Sequence, residues 1–170
     1  RLTRLDSGVV QQPYPVAVRP VLERVERMLT MVAQEKGVTV SGAADEDAVA
    51  LATDDDVHQI LYNLMENAIK YSAAEDGFVR AEAHVDGDKV VLTVSDNGIG
   101  IPNEDLPHIF DRFYRVDKAR SRAAGGTGLG LSIVQDTVKK RGGTVSAANR
   151  PNGGAVFTVR WPEAEGGDHS

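Results

Sequence analysis

Two amides and a lysine recur at helical spacing in the segment HQILYNLMENAIKYS, which covers residues 58–72. At about 100° per residue, Asn63, Asn67 and Lys70 would lie within about 60° of one another on a helix, beside an apolar stripe. An asparagine carbonyl is a hard oxygen ligand that suits Mg²⁺ when the ion also carries phosphate oxygens and waters. The lysine can meet the phosphates, and Tyr71 can stack on a planar ring. The same pattern also fits an ordinary amphipathic helix with polar boundary residues.

A carboxylate and two glycines follow the strand-like run KVVLTVS, in the segment DNGIGIP at residues 96–102. A carboxylate only accepts hydrogen bonds, so Asp96 could accept one from an exocyclic amine such as adenine N6, which would select adenine over guanine. Gly98 and Gly100 would let the backbone pass close to the base, because neither has a Cβ. Alternatively, Asp96 only caps the turn.

Three alternate glycines, Gly126, Gly128 and Gly130, lie in GGTGLGLS (residues 125–132) at the start of a predicted helix. Glycines at such a start let backbone N–H groups approach an anion, and the helix dipole adds to the attraction. The segment is neither a P-loop, which needs Gly-Lys-Ser/Thr, nor a Rossmann turn within a βαβ unit. The crowding of glycines predicts phosphate binding. The alternative is a flexible loop before a capped helix.

The formal net charge of −6 disfavours a nucleic-acid surface, and a polyanionic ligand would need cations concentrated at one place. Residues 112–122 provide such a concentration, with one acid, Asp117, among five basic residues: Arg112, Arg115, Lys118, Arg120 and Arg122. Taken alone, this segment also fits a solvated charged loop.

Three helices must position these residues. Apolar residues at helical spacing predict a first helix from Val18 that Gly37 closes. Thr53 and Asp56 form a capping-box pattern for a second helix, which runs to about Tyr71. A third helix covers roughly residues 129–140 and ends at two glycines.

Strand-like runs between the helices predict three hairpins, which pair residues 38–42 with 48–53, 78–85 with 89–95, and 144–149 with 155–161. The segment QQPYP before the first helix is predicted to be an extended linker. This hairpin-rich order favours an α/β fold of two layers, in which helices cover one face of a mixed or antiparallel sheet, over a doubly wound parallel sheet.

The composition fits one globular domain of 170 residues, of which 41% are hydrophobic and 26% charged. The absence of cysteine excludes disulfides, thiolate metal sites and cysteine nucleophiles. No apolar run reaches the length of a membrane span. The chain begins with Arg1 rather than Met, so we expect a fragment of a longer protein.

Four segments in this order resemble the ATP-binding catalytic domain of sensor histidine kinases, in the wider family shared with gyrase, Hsp90 and MutL. NLMENAIKYS is similar to the N box, DNGIGIP to the G1 box, FDRFYR (residues 110–115) to the F box, and GGTGLGLS to the G2 box. The resemblance covers about Pro15 to Pro162. It implies a Bergerat fold: a two-layer α/β sandwich with a mixed, mostly antiparallel sheet and a mobile lid over ATP.

The resemblance also implies roles for individual residues. Asn67 would be the principal Mg²⁺ ligand, with Asn63 nearby, while Lys70 would contact phosphate and Tyr71 the base. Asp96 would bind adenine N6. The remaining nucleotide contacts would come from the G1 box, the lid, the G2 box and a late strand: Gly98, Ile99, Gly100 and Ile101; Phe110, Arg112, Tyr114 and Arg115; Gly126, Thr127, Gly128, Leu129 and Gly130; and Thr158, which would reach adenine through water.

The activity implied is transfer of the ATP γ-phosphoryl group to a histidine in two-component signalling. The family acceptor is a helical histidine followed by an acid, but His58, His84, His108 and His169 are followed by Gln, Val, Ile and Ser. We therefore expect residues 1–12 to end a dimerisation helix and linker, residues 13–162 to form the catalytic domain, and residues 163–170 to be a disordered tail. Without the acceptor helix, the chain should bind ATP and not phosphorylate itself.

The expected partners are ATP and ADP, the histidine-bearing dimerisation domain of the same protein, and a downstream response regulator, with no nucleic acid. The isolated domain is expected to be a monomer, cytoplasmic, and part of a homodimeric parent anchored in a bacterial membrane. Two other readings stay open. One is an ATPase or anti-sigma-type serine kinase on the same fold, and the other is a module that binds nucleotide without catalysis.

Overall fold

The computed structural model describes residues 12–73, 75–112, 114 and 130–163. In these residues the chain forms seven strands and three α-helices, with one short 3-10 turn at Leu106–His108. In chain order the elements are β1 (Tyr14–Ala17), α1 (Val18–Glu35), β2 (Val38–Ala44), β3 (Val49–Ala52), α2 (Asp54–Tyr71), β4 (Gly77–Asp86), β5 (Lys89–Asp96), α3 (Gly130–Lys140), β6 (Thr144–Asn149) and β7 (Ala155–Pro162). None of the helices within these ranges is both long and apolar enough to cross a bilayer.

The main sheet has five strands in the order β2-β4-β5-β7-β6. β2 runs parallel to β4, and the other three pairings are antiparallel. The predicted α/β sandwich with a mixed, mostly antiparallel sheet is therefore confirmed. Two of the predicted hairpins, β4–β5 and β6–β7, are confirmed as well.

The predicted hairpin between residues 38–42 and 48–53 is wrong. β2 lies at the edge of the main sheet, and the chain reaches its parallel neighbour β4 only after β3 and α2. β3 pairs with β1 instead, in a separate two-stranded antiparallel sheet. Consequently Tyr14 and Pro15, predicted to be linker, are strand residues. Residues 38–42 and 48–53 both have the length and composition of strands, and only the packing of the whole domain decides which strands they pair with.

The core lies between the main sheet and the helices. Alternation along β7 buries Ala155, Phe157, Val159 and Trp161, whereas the residues between them are half-buried or exposed. The helices supply the facing stripes, among them Val21, Leu22, Val25 and Leu29 of α1 and Val57, Ile60, Leu61, Leu64 and Ala68 of α2. The predicted apolar stripe of the second helix is thus confirmed, and its polar row lies at the margin of this core.

The start of α2 is fixed by the predicted capping box. The Thr53 hydroxyl accepts from the Asp56 N–H at 3.0 Å, and the Asp56 carboxylate accepts from the Thr53 N–H at 3.1 Å. Two backbone donors that a helix start would leave unpaired are thereby satisfied. The capping box sets which residues of α2 face the core and which lie along its margin.

Candidate nucleotide-binding site

The polar row of α2 meets the beginning of α3. Asn63, Asn67 and Lys70 are all half-buried along the margin of the helix. A Cβ at Gly130, the first residue of α3, would lie 3.7 Å from Oδ1 of Asn63. The N box and the end of the G2 box therefore lie within contact distance of each other, although they are far apart in the sequence.

Asp96 ends β5 and is almost completely buried, with 3% of its surface exposed. Its Oδ1 accepts from the Gly98 N–H at 2.8 Å and is 3.4 Å from the Ala155 N–H. One oxygen therefore caps the turn, as the alternative reading of Asp96 held. No described group donates to the second oxygen, Oδ2, so Asp96 retains an acceptor for a ligand.

The burial of Asp96 changes its acidity. Desolvation is the largest influence and raises the pKa of the carboxyl group above its ordinary value. The Gly98 and Ala155 N–H groups and the charge of Arg150 act in the opposite direction and do not fully compensate. A buried acid with a shifted pKa is typical of functional sites.

The loop from Asp96 to Pro102 packs against the last turn of α2. A Cβ at Gly98 would lie 1.6 Å from the carbonyl oxygen of Tyr71, and the Ile99 N–H donates to that same oxygen at 3.3 Å. The missing side chain of Gly98 is therefore required by helix packing, and its predicted approach to a base stays a prediction. The backbone carbonyl of Tyr71, rather than its ring, thus connects α2 to the loop.

The strand end of β6 holds the other side of this loop. Oδ1 of Asn149 accepts from the Ile101 N–H at 2.7 Å, and its Nδ2 donates to the Ile101 carbonyl at 2.7 Å. Gly100 has a φ of +74°, a left-handed conformation that favours glycine. Sequence reasoning did not identify Asn149 or its neighbour Arg150, because both lie in a stretch that reads only as a strand end and turn.

The predicted lid begins with residues that contact one another and the core. Phe110 packs edge-on against Phe157, with ring centroids 6.1 Å apart. The Tyr114 hydroxyl donates to Asp105, and this hydrogen bond is the largest of several influences that raise the pKa of Tyr114 above 10.0. Arg112 lies 3.8 Å from Asp136 of α3 in an exposed ion pair. Phe110 and Tyr114 are therefore occupied by protein contacts.

The remaining predicted residues fall into two groups. Thr158 is not placed beside Asp96, because it pairs with Thr93 on the opposite face of the sheet, whereas Asp96 alternates in step with the buried Val94. The period of two along a strand separates the two side chains. The others lie outside the described residues: Arg115, Gly126, Thr127, Gly128 and Leu129.

Three proteins illustrate what this chain is similar to, one by sequence and two by structure. The signal transduction histidine-protein kinase AfsQ2 of Streptomyces coelicolor is 37% identical over 95% of this chain and 29% of its own length. The catalytic domain of the histidine kinase ThkA superposes with a TM-score of 0.78 at 26% identity, covering 91% of this chain and 99% of that domain. Full-length ShkA, solved in complex with AMPPNP, gives a TM-score of 0.77 at 30% identity, covering 93% of this chain and 32% of its own.

The chain spans less than a third of the length of the sensor kinases that it matches in sequence. Its relatives are sensor histidine kinases, and its fold is that of their catalytic ATP-binding domain. The resemblance predicted from the four boxes is confirmed. A family model also matches residues 52–165, from β3 to just past β7, which include the polar row of α2, the Asp96 loop and α3. The chain therefore belongs to the family of histidine kinase-, DNA gyrase B- and HSP90-like ATPases.

Proposed function

We propose that this chain is the ATP-binding catalytic half of a sensor histidine kinase, and that it transfers the γ-phosphoryl group of ATP to a histidine on another domain. The observation that carries the proposal is the meeting of three elements: the amide row of α2, the start of α3, and the Asp96 loop packed on the end of α2. The AMPPNP complex of a relative with 30% identity supports ATP as the nucleotide.

The described residues would bind the base at one end of the site and the phosphates at the other. Oδ2 of Asp96 would accept a hydrogen bond from the adenine amine. Guanine has a carbonyl oxygen at that position, and two hydrogen-bond acceptors would repel each other. At the other end, Lys70 would pair with the phosphates, and Gly130 would leave room for them beside Asn63. Arg112, already beside α3, would bring a cation to the same end when the lid closes.

The donor set fits Mg²⁺ only in combination with a nucleotide. In the described part of the chain, no group of three or more His, Asp or Glu side chains could hold a metal ion by itself. Mg²⁺ is commonly held by one or two protein oxygens together with substrate phosphates and waters, and the amide oxygen of Asn67 suits that role. When bound, the ion would neutralise phosphate charge.

The amide at Asn63 favours phosphoryl transfer over hydrolysis. The ATP-hydrolysing members of the wider family carry a glutamate there to activate water, whereas an amide cannot act as a general base. Catalysis would then come from positioning and charge neutralisation, and the nucleophile must be supplied by another group. Asn63 therefore favours a histidine kinase over an ATPase on the same fold.

The accepting histidine would lie on a dimerisation domain of the parent protein. None of the histidines in the described residues is followed by an acid, and His58 is already engaged by Arg24, whose Nη2 lies 3.3 Å from its Nδ1. A response regulator would accept the phosphoryl group next, and the parent would be a membrane-anchored homodimer. Residues 1–12 would join the two domains. The predicted tail, residues 163–170, would begin one residue later, because Glu163 still forms a β-bridge with Ala50.

Phosphoryl transfer tests the proposal directly. The chain is incubated with Mg²⁺ and ATP labelled in the γ-phosphate, with and without the dimerisation domain of its parent. We expect label on that domain, lost on mild acid treatment as phosphohistidine is, and little phosphate released without it. Acid-stable label would instead indicate a serine kinase. Rapid phosphate release by the chain alone would indicate an ATPase, and ATP binding with neither reaction would indicate a non-catalytic module.

A further inference from the structure

The last residue of β6 and the turn that follows it, residues 149–154, contact the Asp96 loop at two places. At the far end, the Asn149 side chain forms a pair of 2.7 Å hydrogen bonds with the backbone of Ile101. A Cβ at Gly100 would lie 2.8 Å from Oδ1 of Asn149, so the loop and this side chain are closely packed. Asn149 itself is exposed, and it holds the loop through these two hydrogen bonds.

At the near end, Arg150 holds the backbone of Asp96 itself. Its Nη1 donates to the Asp96 carbonyl at 2.9 Å and to the Gly153 carbonyl at 3.1 Å, and its guanidinium lies 5.1 Å from the centroid of the Phe78 ring. Gly154 passes so close that a Cβ there would lie 2.0 Å from the Asp96 carbonyl oxygen. The main chain of Asp96 is thus enclosed by the turn.

The position of Asp96's second oxygen depends on these contacts. Its first oxygen is bound by the N–H groups of Gly98, within the loop, and Ala155, just after the turn. The carboxylate is therefore oriented by the two segments that Asn149 and Arg150 hold together. A hydrogen bond to a base tolerates only a few tenths of an ångström and a limited angle, so a small shift of the loop would misplace the acceptor.

We propose that Asn149 and Arg150 are positioning residues that fix the Asp96 loop and thereby determine how strongly the site prefers adenine over guanine. The proposal rests on the proposed function of Asp96 as the residue that receives the adenine amine. Neither residue touches the carboxylate of Asp96. Their hydrogen bonds go to the backbone, at Ile101 and at Asp96, while the charge of Arg150 also lowers the pKa of the Asp96 carboxyl group.

The test compares Asn149→Ala and Arg150→Met with Arg160→Met, an exposed arginine on β7 that serves as the matched control. Calorimetry with Mg²⁺ gives the dissociation constants of ATP and GTP for each protein. We expect the ATP-over-GTP preference to fall about tenfold in either variant, which corresponds to about 1.4 kcal/mol, and to stay unchanged in the control. Arg150→Lys keeps a donor and the charge, and it should restore part of the preference.

Amide hydrogen exchange separates positioning from general destabilisation. Positioning predicts faster exchange at Gly98 and Ile101 with unchanged exchange in α1, whereas faster exchange throughout the chain contradicts it. If Asn149→Ala does not fold, Asn149→Ser replaces it. If the unmutated chain prefers ATP and both variants retain the full preference, this inference is wrong and the function of Asp96 stands. If the unmutated chain binds both nucleotides equally, the function of Asp96 is itself wrong, and the inference with it.

Discussion

Oδ2 of Asp56 lies 2.5 Å from Nε of Arg141, and this contact joins the first turn of α2 to the residue that follows α3. Lys140 adds a second cation, 3.4 Å from Oδ1 of the same carboxylate. These ion pairs hold the two helices together at the end opposite the site, and a further contact between them places Gly130 beside Asn63. A capping residue for one helix is thus also the anchor for another.

Loss of the arginine should destabilise the fold. In Arg141→Met the carboxylate of Asp56 stays buried beside the weaker contact with Lys140, and removal of one partner from a buried pair costs about 3 kcal/mol. Urea unfolding at pH 7 measures this cost. The exposed Arg160→Met should change stability by no more than about 0.5 kcal/mol. Equal stability of the two variants would show that the Asp56 pair does not hold the helices.

The same pair predicts a pH dependence. Burial, the largest influence, raises the pKa of Asp56, but the hydrogen bonds from Arg141 and Thr53 and the charges of Lys140 and Arg141 outweigh it, so the pKa lies below 3.8. A lowered folded-state pKa means that the stabilisation is present above the unfolded pKa and is lost as pH falls through the folded one. Asp56→Asn should therefore be less stable than the unmutated chain at pH 7, with the difference shrinking below about pH 4. A difference that stays constant with pH would contradict this account.

Two glycines at the site should respond differently to alanine. Gly98→Ala places a Cβ on the Tyr71 carbonyl and forces the loop off α2, which should cost about 2 kcal/mol or more and weaken ATP binding. In Gly130→Ala the new Cβ makes only an ordinary contact with Asn63, so stability should be unchanged or raised by up to about 1 kcal/mol. Denaturant unfolding of both variants measures the contrast. If Gly98→Ala proved as stable as Gly130→Ala, the loop would not depend on this close packing.

Asn67 should determine the magnesium dependence of binding. In Asn67→Ala we expect ATP affinity with Mg²⁺ to fall about tenfold, because one metal ligand is lost, while affinity in EDTA changes little. Calorimetry under both conditions measures this, with the exposed Asn152→Ala as control. Unchanged affinity with Mg²⁺ would refute the metal assignment. An equal loss with and without Mg²⁺ would assign Asn67 to the nucleotide itself.

The sequence predicts well those features that are encoded within a few residues. The capping box of Thr53 and Asp56 spans one helical turn, and the β4–β5 hairpin follows from a two-residue turn at Gly87, whose φ is +64°. The order of four short motifs was enough to identify the family. In each case the deciding interactions are local, or the motif as a whole is distinctive.

Features that depend on distant contacts were not predicted. The hydrogen bonds between Asn149 and Ile101 join residues 48 positions apart. Nothing in the sequence around Asn149 distinguishes this segment from an ordinary turn. The packing of the whole domain decides which strand pairs with β2. It also decides that Gly98 packs against the Tyr71 carbonyl of α2. Motif position did not show that Thr158 lies on the face of the sheet opposite to Asp96, and its contact with adenine through water stays a prediction.

A crystal structure of the chain with Mg²⁺ and a nonhydrolysable ATP analogue tests the central claim most directly. It should place the adenine amine within hydrogen-bond distance of Asp96, and the phosphates between Asn67 and the start of α3 at Gly130. A nucleotide bound elsewhere, or an adenine ring that does not contact Asp96, would contradict the proposed site.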